Sequence, residues 1–126
     1  MTARAMRRSV LVVDDDASIR AVVRAVLEAD DLSVAEAVDG SAALAFIAQE
    51  DPAVVLLDVM MPGMDGIDVC RQIDTARVPV LMLTAKDDPV TERACLDAGA
   101  RALLGKPFSA IELLDAVEGL LQVEAP

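Results

Sequence analysis

Ala53-Val54-Val55-Leu56-Leu57-Asp58-Val59-Met60-Met61-Pro62-Gly63-Met64-Asp65-Gly66 carries an apolar run straight into one carboxylate, then into a turn containing Pro and two Gly. A short run without polar alternation fits a strand covered on both faces, as in a parallel sheet. An acid where such a strand surfaces is a positioned group rather than surface decoration. The stretch Ser9-Val10-Leu11-Val12-Val13 behaves the same way and ends in Asp14-Asp15-Asp16. In an α/β pattern, two such strands bring their carboxylates to one sheet edge.

Outward from these two runs, strand and helix patterns alternate. Ala17 to about Ala29 predicts a helix, with Ile19, Val22, Val23, Val26 and Leu27 at i, i+3, i+4, i+7 and i+8. Ser33–Val38 predicts a weaker strand, and Ser41 to about Gln49 a helix entered through Asp39-Gly40. After strand Ala53–Leu57 comes a short helix from Gly66 to Ile73, with Ile67, Cys70 and Ile73 on one side. Val78–Leu83 reads as the fourth strand, with Pro79 near its start, where a missing amide hydrogen is tolerable. Asp88-Pro89 supplies an N-cap acid and a first-turn Pro for a helix that stops before Gly99. Arg101–Leu104 reads as a fifth strand. Ser109-Ala110-Ile111-Glu112 is a capping box opening a last helix to about Leu121, with Ile111, Leu114 and Val117 on its apolar face, widened by Leu113, Leu120 and Leu121. Residues 1–8 read as a loose leader. Residues 123–126 read either as the start of a linker or as the chain's end. Five alternations imply a parallel sheet with right-handed crossovers and helices on both faces.

The chain's 126 residues suffice for one domain with a real core. No apolar run approaches the roughly 18–20 residues that cross a bilayer, and no signal peptide is evident, so a cytoplasmic protein without membrane contact is expected. Cys70 and Cys95 sit in helical patterns and read as small core residues. The net charge of −11 and the lack of a basic stripe argue against direct nucleic-acid binding. The same charge suits a divalent cation or a basic partner surface.

The polar residues at the strand ends carry the chemistry. Asp14, Asp15 and Asp58, with a backbone carbonyl from the Met60 region, form an all-oxygen set suited to Mg²⁺ or Mn²⁺. So few protein ligands leave the ion room for an anionic substrate, for which phosphate is the natural candidate. Thr84 can donate a hydrogen bond to a phosphoryl oxygen, and Lys106 can supply a point charge. Asp58, alone and central, is the best nucleophile.

Taken together, Val10-Leu11-Val12-Val13-Asp14-Asp15-Asp16, Leu57-Asp58-Val59-Met60-Met61-Pro62-Gly63-Met64-Asp65-Gly66, Leu83-Thr84-Ala85, Ala98-Gly99-Ala100 and Lys106-Pro107-Phe108 make almost the whole chain resemble the receiver domain of two-component response regulators. The resemblance implies a flavodoxin-like, doubly wound five-stranded parallel sheet of order 2-1-3-4-5 with five helices. It implies that Asp58 accepts phosphate from the phosphohistidine of a histidine kinase or phosphotransfer protein. Asp14 and Asp15 would hold Mg²⁺ with Asp58 and the Met60 carbonyl. Thr84 would be the switch hydroxyl, and Lys106 would contact the phosphoryl group, with a cis peptide before Pro107. Asp16, Ser18 and Ile19 fall where the family docks its phosphodonor. Met60 and Lys86 fall at positions that tune dephosphorylation, so Lys86→Ala should alter phosphoryl lifetime.

Two departures stand out. Leu103 occupies the fifth-strand position where the family usually has an aromatic switch residue, and the chain has neither Tyr nor Trp. Gly105, beside Lys106, would loosen that loop. From Ser109 onward no basic residue occurs, while Glu112, Asp115 and Glu118 are acidic. That disfavours the salt-bridged dimer some relatives form through their last two helices and fifth strand, because two such faces repel. Output would pass through that face to a partner or to an effector domain.

Two alternatives compete. A receiver-fold scaffold independent of phosphorylation usually loses site residues, and here all five are present. A phosphatase of the haloacid-dehalogenase type would use Asp14 as nucleophile, but the residues after Asp16 fit that motif poorly.

Overall fold

The computed structural model describes residues 8–123. The expected leader, apart from Arg8, and residues 124–126 of the expected linker lie outside them. Ten main elements alternate: β1 (Ser9–Val13), α1 (Ala17–Glu28), β2 (Ser33–Ala37), α2 (Gly40–Glu50), β3 (Val54–Asp58), α3 (Gly66–Arg71), β4 (Val80–Ala85), α4 (Pro89–Asp97), β5 (Ala102–Lys106) and α5 (Ala110–Val123). The five strands form one parallel sheet in the order β2-β1-β3-β4-β5. This is the flavodoxin-like order. Between β3 and α3 the chain folds back as a minimal hairpin of Met60–Met61 against Met64–Asp65. Its tip is Pro62-Gly63, with Gly63 at φ 77°, the Pro-Gly geometry of a type II turn.

The apolar runs are strands because both faces of the sheet are covered. Val10–Val13, Val54–Leu57 and Val80–Leu83 are all 0% exposed. On one face Val10, Val12, Leu56, Leu81 and Leu83 pack under Val23 and Leu27 of α1 and Leu113 and Val117 of α5. On the other, Leu11, Val13, Val55, Leu57 and Met82 pack under Ile47 of α2, Val69 and Cys70 of α3 and Cys95 of α4. Both cysteines are buried free thiols, and burial pushes the Cys70 thiol up to about 11.

Much of the acid content has a local structural use. Asp16, Asp39, Asp65 and Asp88 cap four helices by accepting from the amides of Ser18, Ala42, Ile67 and Thr91. The capping box closes reciprocally. The Ser109 amide donates to Glu112 at 2.8 Å and the Glu112 amide to Ser109 Oγ at 3.1 Å.

Several boundaries differ from those expected. β4 starts at Val80, not Val78, because Pro79 has no amide hydrogen and contributes only its carbonyl, to the Val55 amide. β3, β4 and β5 each run further into polar sequence than the apolar runs suggest. Asp58, Thr84 and Lys106 are therefore strand residues, held by the pairs Asp58–Leu83, Thr84–Gly105 and Ala85–Lys106. α3 ends at Arg71 rather than Ile73, because the amides of Gln72 and Ile73 turn back to residues three earlier, tightening the last turn. Val22 and Ile111 were expected on core faces but are 53% and 71% exposed. The buried stripes of α1 and α5 are Val23 and Leu27, and Leu113, Val117 and Leu120.

Candidate functional site

Strand register delivers the polar residues to one edge. Val13 lies opposite both Ala37 and Leu57, so Asp14 and Asp58 are the next residues of neighbouring strands. Thr84 follows Leu83, the partner of Asp58, and lies opposite Gly105, one residue before Lys106. Side-chain alternation then sorts them. Asp14, Asp58 and Lys106 continue the row of Val12, Leu56 and Leu104 on the α1/α5 face, whereas Thr84 continues the row of Val80 and Met82 on the opposite face.

The acids converge. Asp14, Asp15 and Asp58 each bring a carboxylate oxygen within 4.8 Å of the others. Asp14 and Asp58 are buried, while Asp15 is exposed. Lys106 Nζ donates to Asp58 Oδ1 at 3.0 Å and to Asp14 Oδ2 at 3.4 Å. Asp58 Oδ1 also accepts from the Met60 amide at 3.2 Å, and Asp14 Oδ1 from the Asp16 amide at 2.9 Å. Burial, and secondarily the Asp14 charge, push the Asp58 carboxyl above the usual carboxylate range, against the opposing pull of Lys106 and the Met60 amide. Burial alone would lower the Lys106 ammonium. Its hydrogen bond to Asp58 and the charges of Asp58 and Asp14 outweigh that and hold it above the ordinary lysine value.

Three carboxylates against one ammonium leave excess negative charge in a cluster of oxygen donors, two of its acids buried and one exposed. That donor set fits a hard divalent cation such as Mg²⁺.

Two glycines shape the surroundings by their lack of a side chain. A Cβ on Gly66 would lie 2.1 Å from the Asp58 carbonyl oxygen, so only Gly lets α3 begin against the backbone of Asp58. A Cβ on Gly105 would lie 2.5 Å from Cγ of Lys86, whose stem runs across that position. The remaining predicted residues lie around this core. Met60 is 79% exposed beside Asp58, and Leu103 is half-buried against the α2/α3/α4 core. Asp16 and Ser18 are exposed at the start of α1, and Ile19 is half-buried against the α1/α5 core. The Lys106–Pro107 peptide is cis, as the resemblance implied.

Sequence reasoning missed Arg20. Its guanidinium donates to the Asp14 main-chain carbonyl at 2.7 Å and to Glu36 at 2.8 Å. An arginine on a helix beside an acidic loop was the only available signal.

This geometry defines a flavodoxin-like α/β domain with an acidic pocket and a lysine at its carboxyl edge. Residues 10–118 match the response regulator receiver domain model, and the chain belongs to that family. It is 45% identical over 119 residues to the response regulator MprA of Mycolicibacterium vanbaalenii, covering 93% of this chain and 52% of that protein. The MprA of Mycobacterium avium is 44% identical over the same length. The chain thus spans about half the length of these curated relatives. Among solved structures, the chemotaxis response regulator CheY4 of Vibrio cholerae is 33% identical with a TM-score of 0.84, over 89% of this chain and 97% of that one. The receiver domain of NtrX from Brucella abortus is 30% identical with a TM-score of 0.85, over 91% and 99%. Receiver domains are signalling domains of two-component systems and bind Mg²⁺ at an acidic pocket; response regulators partner with histidine kinases and effector domains. No helix among the described residues is long and apolar enough to cross a membrane.

Proposed function

We propose that the chain accepts a phosphoryl group on Asp58 from the phosphohistidine of a histidine kinase or phosphotransfer protein, in a reaction that needs Mg²⁺ or Mn²⁺. The observation that carries this reading is the pairing of buried Asp58 with Lys106 at 3.0 Å inside a cluster of three carboxylates. An Asp58 carboxylate oxygen attacks phosphorus, the P–N bond breaks, and its electron pair leaves with the donor imidazole. Asp14, Asp15, Asp58 and the Met60 carbonyl would hold the cation, which when bound supplies positive charge against the phosphoryl oxygens. Lys106 sits between Asp14 and Asp58 and can follow the negative charge onto the phosphoryl group. Thr84, one strand over, donates its hydroxyl to that group. Its movement shifts an existing two-state equilibrium on the face formed by α4, β5 and α5.

Leu103, already packed against the core below Thr84, takes the place of an aromatic readout by changing rotamer. Asp16, Ser18 and Ile19 form the donor-docking region, and Met60 and Lys86 tune phosphoryl lifetime. The effector is a separate partner or a further domain. Two buried, unbridged thiols fit a cytoplasmic site of action. The phosphatase alternative places its nucleophile at Asp14 rather than Asp58, so the residue that is modified separates the two readings.

Intact mass after incubation with acetyl phosphate and Mg²⁺ tests the proposal. One phosphoryl group on the wild type and none on Asp58→Asn is expected. Equal modification of both proteins overturns the assignment to Asp58. If a panel of phosphohistidine donors also leaves the wild type unmodified, the chain is a scaffold.

A further inference from the structure

Asp14 and Asp15 share one peptide plane, and both ends of the Asp14 residue are held. Its amide donates to the Ala37 carbonyl at the end of β2, at 3.2 Å. Its carbonyl accepts from Arg20 Nη1 at 2.7 Å. Because the peptide unit is rigid, fixing that carbonyl fixes the direction in which the chain leaves Asp14 and enters Asp15. Arg20 is itself held. Its Nε donates to Glu36 Oε1 at 2.8 Å, and the second Glu36 oxygen accepts from Arg24 Nε at 2.7 Å. Arg24 in turn donates to Glu28 at 2.7 Å.

Ordinary exposed ion pairs contribute little. Arg20 differs in that its side chain is only 14% exposed and one of its bonds goes to the backbone between two site acids. The strand pairing of Val13 with Ala37 is a main-chain register to which the Arg20 side chain contributes no bond.

We infer that Arg20, braced by Glu36, is a positioning residue: it locks the Asp14–Asp15 peptide plane so that both carboxylates meet Asp58 in cation-binding geometry. This rests on reading the acid cluster as a divalent-cation site. A positive charge beside a cation site opposes the cation, so charge alone says that losing Arg20 tightens binding. Loss of positioning says the reverse.

Mn²⁺ titration by calorimetry separates the two, using the whole chain with Arg20→Met, Arg20→Lys and Arg24→Met. Arg24→Met removes the same charge and a neighbouring Glu36 bond but makes no contact with Asp14. Arg20→Met should weaken Mn²⁺ binding about tenfold, the usual scale for losing a group that orients a metal ligand. Arg24→Met should stay within about twofold. Arg20→Lys, which keeps the charge but not the two-pronged geometry, should also weaken binding, and it replaces Arg20→Met if that variant does not fold. Affinity for Arg20→Met equal to or tighter than wild type overturns the inference. So does an equal loss in Arg24→Met, or a lower metal-free melting temperature with unchanged affinity. If wild type binds no Mn²⁺, the cation-site reading itself fails and takes this inference with it. That outcome is distinct from a wild type that binds and an Arg20→Met that binds equally.

Discussion

Leu56 and Asp58 lie two residues apart on one strand and point to the same face, yet the strand treats them oppositely. Leu56 is 0% exposed under α1 and α5, in a row of Val and Leu side chains that water never reaches. Asp58 is 4% exposed at the carboxyl edge, beside another buried acid, with a lysine to offset part of its charge. Asp14, Asp58 and Thr84 are the buried polar and charged residues among those described, and all three lie at that edge. Burial favours the first region and penalises the second. The body of the sheet therefore supplies stability that lets its edge hold charges in a place they would not otherwise occupy, where a divalent cation would relieve them.

The comparison breaks first at its apolar side. Leu56→Ala leaves a cavity between β3 and the α1/α5 layer and should cost about 2–5 kcal/mol. The midpoint of urea unfolding reads this directly. A cost near zero would mean that the α1/α5 layer collapses onto the sheet and that the body is not close-packed there.

Asp58→Asn should act in the opposite direction and by less. The raised Asp58 carboxyl takes up its proton at higher pH in the folded chain than in the unfolded one. Its ionisation therefore disfavours folding: stability from this group is greatest below the unfolded value and falls as pH rises through the folded one. In metal-free buffer the variant should melt a few degrees above wild type at neutral pH, a typical response of a domain this size to a small stability change. The difference should shrink as pH falls through the raised Asp58 value. Adding Mg²⁺ should raise the melting temperature of wild type more than that of the variant, because binding to the folded state alone is stabilising. A variant less stable than wild type at neutral pH would mean that the Lys106 bond outweighs burial, contrary to the balance at this site.

The same contrast decides what the sequence could reveal. The body was legible because both faces are apolar: Val10–Val13, Val54–Leu57 and Val80–Leu83 announce buried strands without any partner being known. The caps were legible because Asp88-Pro89 and Ser109 to Glu112 act within one turn. Strand ends were not. Asp58, Thr84 and Lys106 belong to the sheet only through neighbours across it, so apolar runs stop short of them. The acids of the site stood out as anomalies, whereas the group that braces them did not. The Arg20–Glu36 bond joins residues 16 apart, from the start of α1 to the end of β2. Nothing in either residue's local sequence requires it. Ile111 fits a helical period yet faces water, because the period fixes a face only after the packing of Leu113 and Val117 has chosen one.

The smallest expected effect sharpens the contrast at the edge itself. Gly105 lies opposite Thr84 and beneath the stem of Lys86, with Cγ, Cε and Cδ of Lys86 at 2.5, 3.4 and 3.5 Å from where a Cβ would stand. Lys86 is exposed, so its whole stem, Cγ included, can turn away from a methyl group at 105 at a modest cost. Replacing a strand Gly by Ala also restricts the unfolded chain, a gain of about 0.4–1 kcal/mol that offsets the displacement. Gly105→Ala should therefore change overall stability by no more than about 0.5 kcal/mol, within the usual range for sites outside the core. On the proposed role of Lys86, the effect of this substitution should appear in phosphoryl lifetime. Moving Lys86 alters what stands beside Thr84, and a barrier change of about 0.5 kcal/mol is roughly a twofold change in decay rate. Decay of acetyl-phosphate-labelled protein, followed for wild type, Gly105→Ala, Lys86→Ala and the double variant, isolates the route. If Gly105 acts through Lys86, the alanine at 105 has no further effect once Lys86 is gone. Additive effects would instead mean that Gly105 acts on Lys106 and Thr84 through the backbone of β5, and that the Lys86 stem is a bystander.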